Sequence, residues 1–455
     1  MSLASINPAT GEMIRRYREH TPVQIAAAVE RAHAAFPGWR RLAPGQRGRQ
    51  LCAVAAALRR RLDDHAHLIT REMGKPLAQS RAEIEKCAFV CEHFAKNAAA
   101  YLADERPPDA PARSFVSYQP LGVILAVMPW NFPYWQVFRA AVPALMAGNT
   151  VLLKHASNVC GCALALESVF RDAGLPPGAF QSLLIRADRV PALIGAPRVR
   201  AVTLTGSTAA GRQVAALAGA ALKKCVLELG GSDPYVILAD ADVDLAAEVC
   251  ARSRLVNSGQ SCIAAKRFIV VRSVRAAFER RFVERMAARR VGPPADPGID
   301  VGPLARNDLR AELHAQVRAS LRGGARLLLG GRPLPGPGWF YPPTVLTDVR
   351  PGTPACDDEL FGPVAAVIPV RDEAAAIAAA NASAYGLGAA VFTRNRRRGR
   401  RLAVEELEAG LAFVNDFVRS DPALPFGGVK ESGFGRELGS IGIREFTNVK
   451  TVMLA

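Results

Sequence analysis

Val202-Thr203-Leu204-Thr205-Gly206-Ser207-Thr208-Ala209-Ala210-Gly211 reads as a short apolar strand, a glycine turn and the start of a helix. The same rhythm repeats on its N-terminal side. Val123–Val127 reads as a strand followed by the stiff loop Pro129-Trp130-Asn131-Phe132-Pro133 and a helix running to Ala147. Val151–Leu153 is a strand ending at Lys154, a helix covers Cys162–Ala173, and Leu183–Ile185 is a further strand. Downstream, Cys225–Leu227 is a strand closed by Glu228-Leu229-Gly230-Gly231. Alternating strands and helices of this kind predict an α/β fold, a parallel sheet covered by helices. A second α/β series runs from about Pro234 to Val429.

The flanks differ. Apolar and alanine positions recur at helical spacing through Gln24–Phe36, Gln46–Arg71 and Ala82–Leu102. Three prolines between Asp104 and Pro111 break that pattern. Ser114–Tyr118 and Val449–Leu454 read as strands with no partner in their own neighbourhoods, and unpaired strands of this kind point to pairing across subunits.

The chain has 455 residues, enough for two or three domains. With 50% hydrophobic and 22% charged residues it has a globular composition. No stretch approaches the ~20 apolar residues of a membrane span, and Asn7-Pro8 interrupts the N-terminus before any signal-like core develops. The formal charge of +17 raises nucleic acid as a partner. However, the arginines are scattered, and the one dense run, Arg396–Arg401, reads as the solvated start of a helix. Nine cysteines in no paired pattern predict reduced thiols and a cytoplasmic setting. Cys87, Cys91 and His93, like Cys160 and Cys162, lack a second half at metal-site spacing and read as packing.

Several residues sit where chemistry is done. Cys262 follows the bend Asn257-Ser258-Gly259-Gln260-Ser261, a turn able to hold a thiol nucleophile at a cleft. Asn131 offers an amide donor on a rigid loop, suited to an oxyanion. Glu228 ends an apolar strand, where desolvation would raise its pKa toward that of a general base. Lys154 lies at the carboxyl end of a strand, where ligands bind in open α/β sheets. Gly206–Gly211 could cradle a phosphate, although it matches neither common phosphate-binding fingerprint.

Taken together, these motifs resemble the aldehyde dehydrogenase superfamily over nearly the whole chain. Asn7-Pro8-Ala9-Thr10-Gly11-Glu12 resembles its opening. Pro129–Pro133 resembles its oxyanion loop, Leu227–Gly231 its general-base motif and Gly259–Cys262 its nucleophile motif. Glu359-Leu360-Phe361-Gly362-Pro363 and Pro425–Gly433 resemble two further signatures. Glu228 and Cys262 stand 34 residues apart, as is typical of the family.

The resemblance implies two doubly wound parallel-sheet domains, 1–106 with 122–230 binding the dinucleotide and 231–439 catalytic. Residues 107–121 and 440–455 would form a small β oligomerisation arm of a homodimer or homotetramer. It implies that Cys262 attacks the aldehyde carbon, that Asn131 holds the oxyanion and that Glu228 activates water against the resulting thioester. NAD or NADP would lie along Trp130, Lys154, Ser157, Gly206, Ser207, Leu229, Glu359 and Phe361. Ser157 occupies a place where NAD-specific relatives carry glutamate, so NADP should be tolerated.

Arg139 and Ser420 resemble the carboxylate-binding residues of succinate-semialdehyde dehydrogenases, with Phe426 beside them. The nearest likeness is to the shorter bacterial type of that enzyme. Val256, however, stands where many of those enzymes have another arginine. A dehydrogenase of neutral aliphatic or aromatic aldehydes and a non-catalytic binding protein on the same scaffold are the competing readings.

Overall fold

A computed structural model describes residues 3–454. The first sheet has six strands in the order Gly433–Phe434, Lys224–Glu228, Val199–Thr205, Val123–Met128, Thr150–His155 and Phe180–Leu183. The last five run parallel, and Gly433–Phe434 is antiparallel to its neighbour. Their near-continuous burial explains their unbroken apolar runs, since helices cover both faces.

Val123–Met128 is the earliest of these strands in the chain. The next two lie on one side of it and Val199–Thr205 lies on the other. The winding therefore reverses between Val123–Met128 and Val199–Thr205, and a crevice opens at their carboxyl ends. The Asn131 loop and the Gly206 turn both leave the sheet at that crevice.

The second sheet has seven strands in the order Arg326–Leu329, Thr344–Thr347, Val364–Val370, Arg267–Val271, Pro234–Ile237, Gly388–Phe392 and Leu411–Val414. All its pairs are parallel except the one made by Arg326–Leu329. The chain then crosses back to the first sheet. At Gly433, φ is +105° and a Cβ would lie 2.1 Å from the Leu227 carbonyl, so only glycine fits the crossing.

The structure corrects three details of the sequence reading. The single helix expected over Gln46–Arg71 is two helices, Pro44–Arg60 and Leu62–Met73, broken at Arg61. The strand expected at Leu183–Ile185 is Phe180–Leu183. Leu184 and Ile185 peel away because their backbones bond elsewhere, Ile185 N donating to the Leu183 carbonyl at 3.0 Å and the Leu184 carbonyl accepting from His20 N at 2.9 Å. The two strands read as partnerless pair with each other, Ser114–Pro120 lying antiparallel to Thr447–Met453. Val449, Met453 and Leu454 of that ribbon remain exposed.

The arginine run forms the short helix Arg396–Arg401, in which Arg398 and Arg401 both pair with Glu373. Cys87 and Cys91 are buried within the helix Leu77–Tyr101. No helix among the described residues is long and apolar enough to cross a membrane.

Candidate active site

Cys262 follows a turn that the backbone enters under constraint. Asn257, Ser258 and Gly259 occupy the left-handed region in succession, with φ of +55°, +56° and +76°. A Cβ at Gly259 would lie 2.3 Å from the Gly362 carbonyl, so the signature Glu359–Pro363 packs directly on the turn. Non-glycine residues in this conformation cost of order 1–3 kcal/mol each and persist only when their surroundings hold them. Here the surroundings do so. Asn257 Nδ2 donates to the carbonyls of Asn131 and Gln260 at 2.7 and 2.9 Å. Gln79 Oε1 accepts from Asn257 N at 2.8 Å, and Ser258 Oγ accepts from Gly302 N at 2.9 Å.

Lys266 closes the turn from behind. Its buried ammonium donates to the carbonyls of Ser261, Cys262 and Ala264 at 2.9, 2.8 and 3.1 Å and lies 3.5 Å from Glu359. Sequence reading passed over this lysine. Its only signal is a charge between an apolar turn and the apolar strand Arg267–Val271.

The loop Pro129–Pro133 is fixed in a similar way. Glu83 accepts from the backbone N–H groups of Tyr134 and Trp135 at 2.8 and 2.9 Å and pairs with buried Lys75. The Lys75 ammonium stacks 3.9 Å from the Phe132 ring. Asn131 Nδ2 donates to the Gln260 carbonyl at 3.1 Å, which leaves its second N–H for another acceptor.

Two cavities meet at the cysteine. One, of about 460 Å³, is lined by Phe132, Trp135, Arg139, Val256, Ile263, Phe417, Ser420 and Phe426 among others. The other, of about 430 Å³, is lined by Trp130, Asn131, Gly206, Ser207, Leu229, Glu359 and Phe361. Only Cys262 and Gln136 belong to both.

The second cavity has the features of a dinucleotide site. Ser207 caps the helix Thr208–Ala220, whose N-terminus is suited to a phosphate. Gly211 is in close contact with Leu229, where a Cβ would lie 2.5 Å from the leucine side chain. Phe361 meets Trp130 edge-on at 5.7 Å. Lys154 and Ser157 lie outside this wall. Lys154 is the last residue but one of the strand Thr150–His155, beside Val127, and Ser157 is exposed just beyond that strand, on the sheet's carboxyl edge.

Glu228 is 1% exposed, and neither of its oxygens has a hydrogen-bond partner. Burial pushes its carboxyl up to about 8, opposed by the Arg139 guanidinium 3.8 Å away. Burial also pushes the Cys262 thiol up to about 12, against the pull of Arg139 and Lys266. A strongly raised carboxyl beside a thiol at a junction of two cavities is a pairing of the kind that covalent catalysis uses, the thiol having to lose its proton before it can act as a nucleophile.

Arg139 requires a correction. It was expected to present its guanidinium to a substrate carboxylate. It does line the first cavity, but it is buried, ion-paired with Glu437, close to Glu228, and stacked 4.4 Å from the Phe426 ring. Glu437 already balances its charge. Ser420 lines the same cavity and accepts a hydrogen bond from Lys86 Nζ at 2.7 Å.

Comparison with known proteins agrees with this geometry. Residues 1–452 match the model of the aldehyde dehydrogenase family. The chain is 50% identical, over the full length of both proteins, to a probable succinate-semialdehyde dehydrogenase [NADP(+)] of Synechocystis sp.. It is 48% identical to a succinate semialdehyde dehydrogenase [NAD(P)+] of Escherichia coli, over 98% of this chain and 97% of that one. The crystal structure of succinic semialdehyde dehydrogenase from Streptococcus pyogenes in complex with NADP+ superposes with a TM-score of 0.97, at 36% identity and full coverage of both chains. The chain belongs to the aldehyde dehydrogenase family, whose members oxidise aldehydes to acids with a nicotinamide dinucleotide.

Proposed function

We propose that this chain oxidises succinate semialdehyde to succinate with NADP, tolerating NAD. The single observation that carries the reading is that Cys262 is shared between an apolar cavity sized for a short aldehyde and a second cavity with a helix N-terminus on its wall. The names of the relatives support the substrate and the cofactor.

Each role follows from position. Cys262 Sγ attacks the aldehyde carbon. The oxygen of the thiohemiacetal is held by Asn131 Nδ2 and the backbone N–H of Cys262, donors preorganised on rigid loops. The bound dinucleotide supplies the acceptor for the hydride that leaves that carbon. Trp130, Gly206, Ser207, Leu229, Glu359 and Phe361 would hold it, with Lys154 and Ser157 as further contacts on the sheet's carboxyl edge. Glu228, kept neutral below about pH 8 by burial, takes a proton from water when ionised and so hydrolyses the thioester. Ser420 and Phe426 shape the distal end of the aldehyde cavity. The exposed edge of the Thr447–Met453 strand fits a role in homo-oligomer assembly, and a cytoplasmic location fits the nine free thiols.

Steady-state rates with succinate semialdehyde and butanal, each with NADP and NAD, test the proposal. The semialdehyde with NADP should give the highest kcat/KM. Equal or better use of butanal, or no reduced cofactor with either aldehyde, overturns it.

A further inference from the structure

We propose that Lys86, held by Ser420 and Trp135, is the residue that binds the distal carboxylate of the substrate, in place of Arg139. The inference rests on the semialdehyde reading above and deepens it.

Five cationic side chains line the aldehyde cavity: Lys86, Arg139, Arg252, Arg289 and Arg419. Arg139 is ion-paired with Glu437, Arg289 with Glu248 and Arg419 with Asp416. Arg252 is exposed at the rim, stacked on Phe417. Lys86 is half-buried, and no carboxylate lies within ion-pair distance of it among the described residues. Glu83, one turn earlier on the same helix, is occupied by Lys75 and by two backbone N–H groups. Asp421 pulls on it from an exposed position, beyond ion-pair distance.

A lysine with no anion in an apolar cavity is costly, because burial disfavours its charge. That cost appears as a lowered pKa, to about 8, caused by burial and by the nearby Arg139. What holds Lys86 in place is neutral: Ser420 Oγ at 2.7 Å and the Trp135 ring at 4.2 Å. The ring and the hydroxyl orient the ammonium without neutralising it, and its remaining N–H groups can accept an anionic partner. A substrate with an aldehyde on Cys262 and a carboxylate at the far end of the same cavity supplies that partner. Ser420, already bonded to Lys86, can donate its own hydroxyl proton to the same carboxylate.

The test compares Lys86→Met, Lys86→Arg, Ser420→Ala and Arg252→Gln with the parent enzyme. The ratio of kcat/KM for succinate semialdehyde to that for butanal should fall roughly 10- to 100-fold in Lys86→Met, mainly through KM. It should fall less in Ser420→Ala, recover in part in Lys86→Arg, and hold within about twofold in Arg252→Gln. Succinate should inhibit butanal oxidation by the parent and lose that inhibition in Lys86→Met. A Lys86→Met enzyme that keeps both the ratio and the inhibition overturns the assignment, as does a ratio that collapses in Arg252→Gln instead. A parent with no preference for the semialdehyde overturns the substrate reading. Succinate inhibition then still reads the anion site, and if it is absent from the parent the Lys86 proposal falls too.

Discussion

The Lys266 ammonium donates to the carbonyl oxygen of Cys262 at 2.8 Å and binds two further carbonyls of the same turn. It therefore both shapes the turn that presents the thiol and places a positive charge beside it. Lys266→Met leaves the Cys262 and Ala264 carbonyls without a donor, while the Ser261 carbonyl keeps Ala264 N at 3.2 Å, and each buried unpaired group costs about 1–3 kcal/mol. Chemical denaturation should show a loss of several kcal/mol. Lys266 also opposes the upward shift of the Cys262 thiol. Alkylation by iodoacetamide in the variant, followed against pH, should therefore shift to more alkaline pH. An unshifted profile at unchanged stability would contradict both roles.

Cys262→Ala should abolish turnover yet leave dinucleotide binding intact, because the second cavity is walled mainly by other residues. Turnover above about a hundredth of the parent rate would remove Cys262 from the nucleophile role. Cofactor binding can be followed by the quenching of protein fluorescence.

Glu228 sets the pH dependence. A base must be ionised to act, and this carboxyl is held at about 8. The hydrolytic step should therefore quicken as pH rises through about 8, most cleanly with butanal, which makes no use of the Lys86 charge that is lost over the same range. Arg139 lowers the Glu228 pKa and Glu437 raises it. Glu437→Gln should move the rising limb to lower pH and Arg139→Met should move it to higher pH. Arg139→Met should also slow succinate semialdehyde and butanal alike, since its charge serves internal carboxylates. Glu228→Gln should give a burst of reduced cofactor followed by slow turnover. A burst-free variant with normal thioester hydrolysis would contradict the assignment.

Much of this was legible in the sequence where the chemistry is local. The strand–turn–helix rhythm specified the first sheet, because strands buried on both faces must be apolar throughout. Cys262, Asn131 and Glu228 stood out because each occupies a short motif with a glycine or proline that bends the chain. The partners that decide charge were not legible. Glu437 reaches Arg139 from almost 300 residues away, Glu83 reaches the oxyanion loop from a helix in the N-terminal layer, and Lys86 reads as an ordinary charge on that same helix. Only tertiary packing shows which guanidinium is neutralised and which ammonium is not.

On the proposed reading cofactor choice turns on Ser157, which lies exposed beyond the strand bearing Lys154. Ser157→Glu places a carboxylate where a 2′-phosphate would lie. Like charges there repel by an estimated 1–3 kcal/mol, roughly fivefold or more in affinity. Kd for NADP should rise by at least that factor while Kd for NAD changes little. Equal weakening of both would mean that Ser157 does not face the ribose.

The oxyanion loop offers the last test. Glu83 accepts from Tyr134 N and Trp135 N and neutralises Lys75, whose ammonium stacks on Phe132. Both partners of the pair are fully buried. Removing one member of such a pair leaves an uncompensated charge and costs about 3–5 kcal/mol, whereas replacing both with apolar groups is often close to neutral. Glu83→Gln should therefore destabilise strongly, and Lys75→Met combined with Glu83→Leu should recover much of the loss. Catalysis should not recover in parallel. Leucine cannot accept from Tyr134 N and Trp135 N, so the loop carrying Asn131 is no longer pinned, and kcat should stay roughly tenfold or more below the parent. Dinucleotide affinity should change less, since the Glu359 and Ser207 side of its cavity is untouched. If the double variant regains both stability and full kcat, Glu83 serves only to neutralise Lys75, and the placement of Asn131 must be determined by its bonds to Gln260 and Asn257 alone.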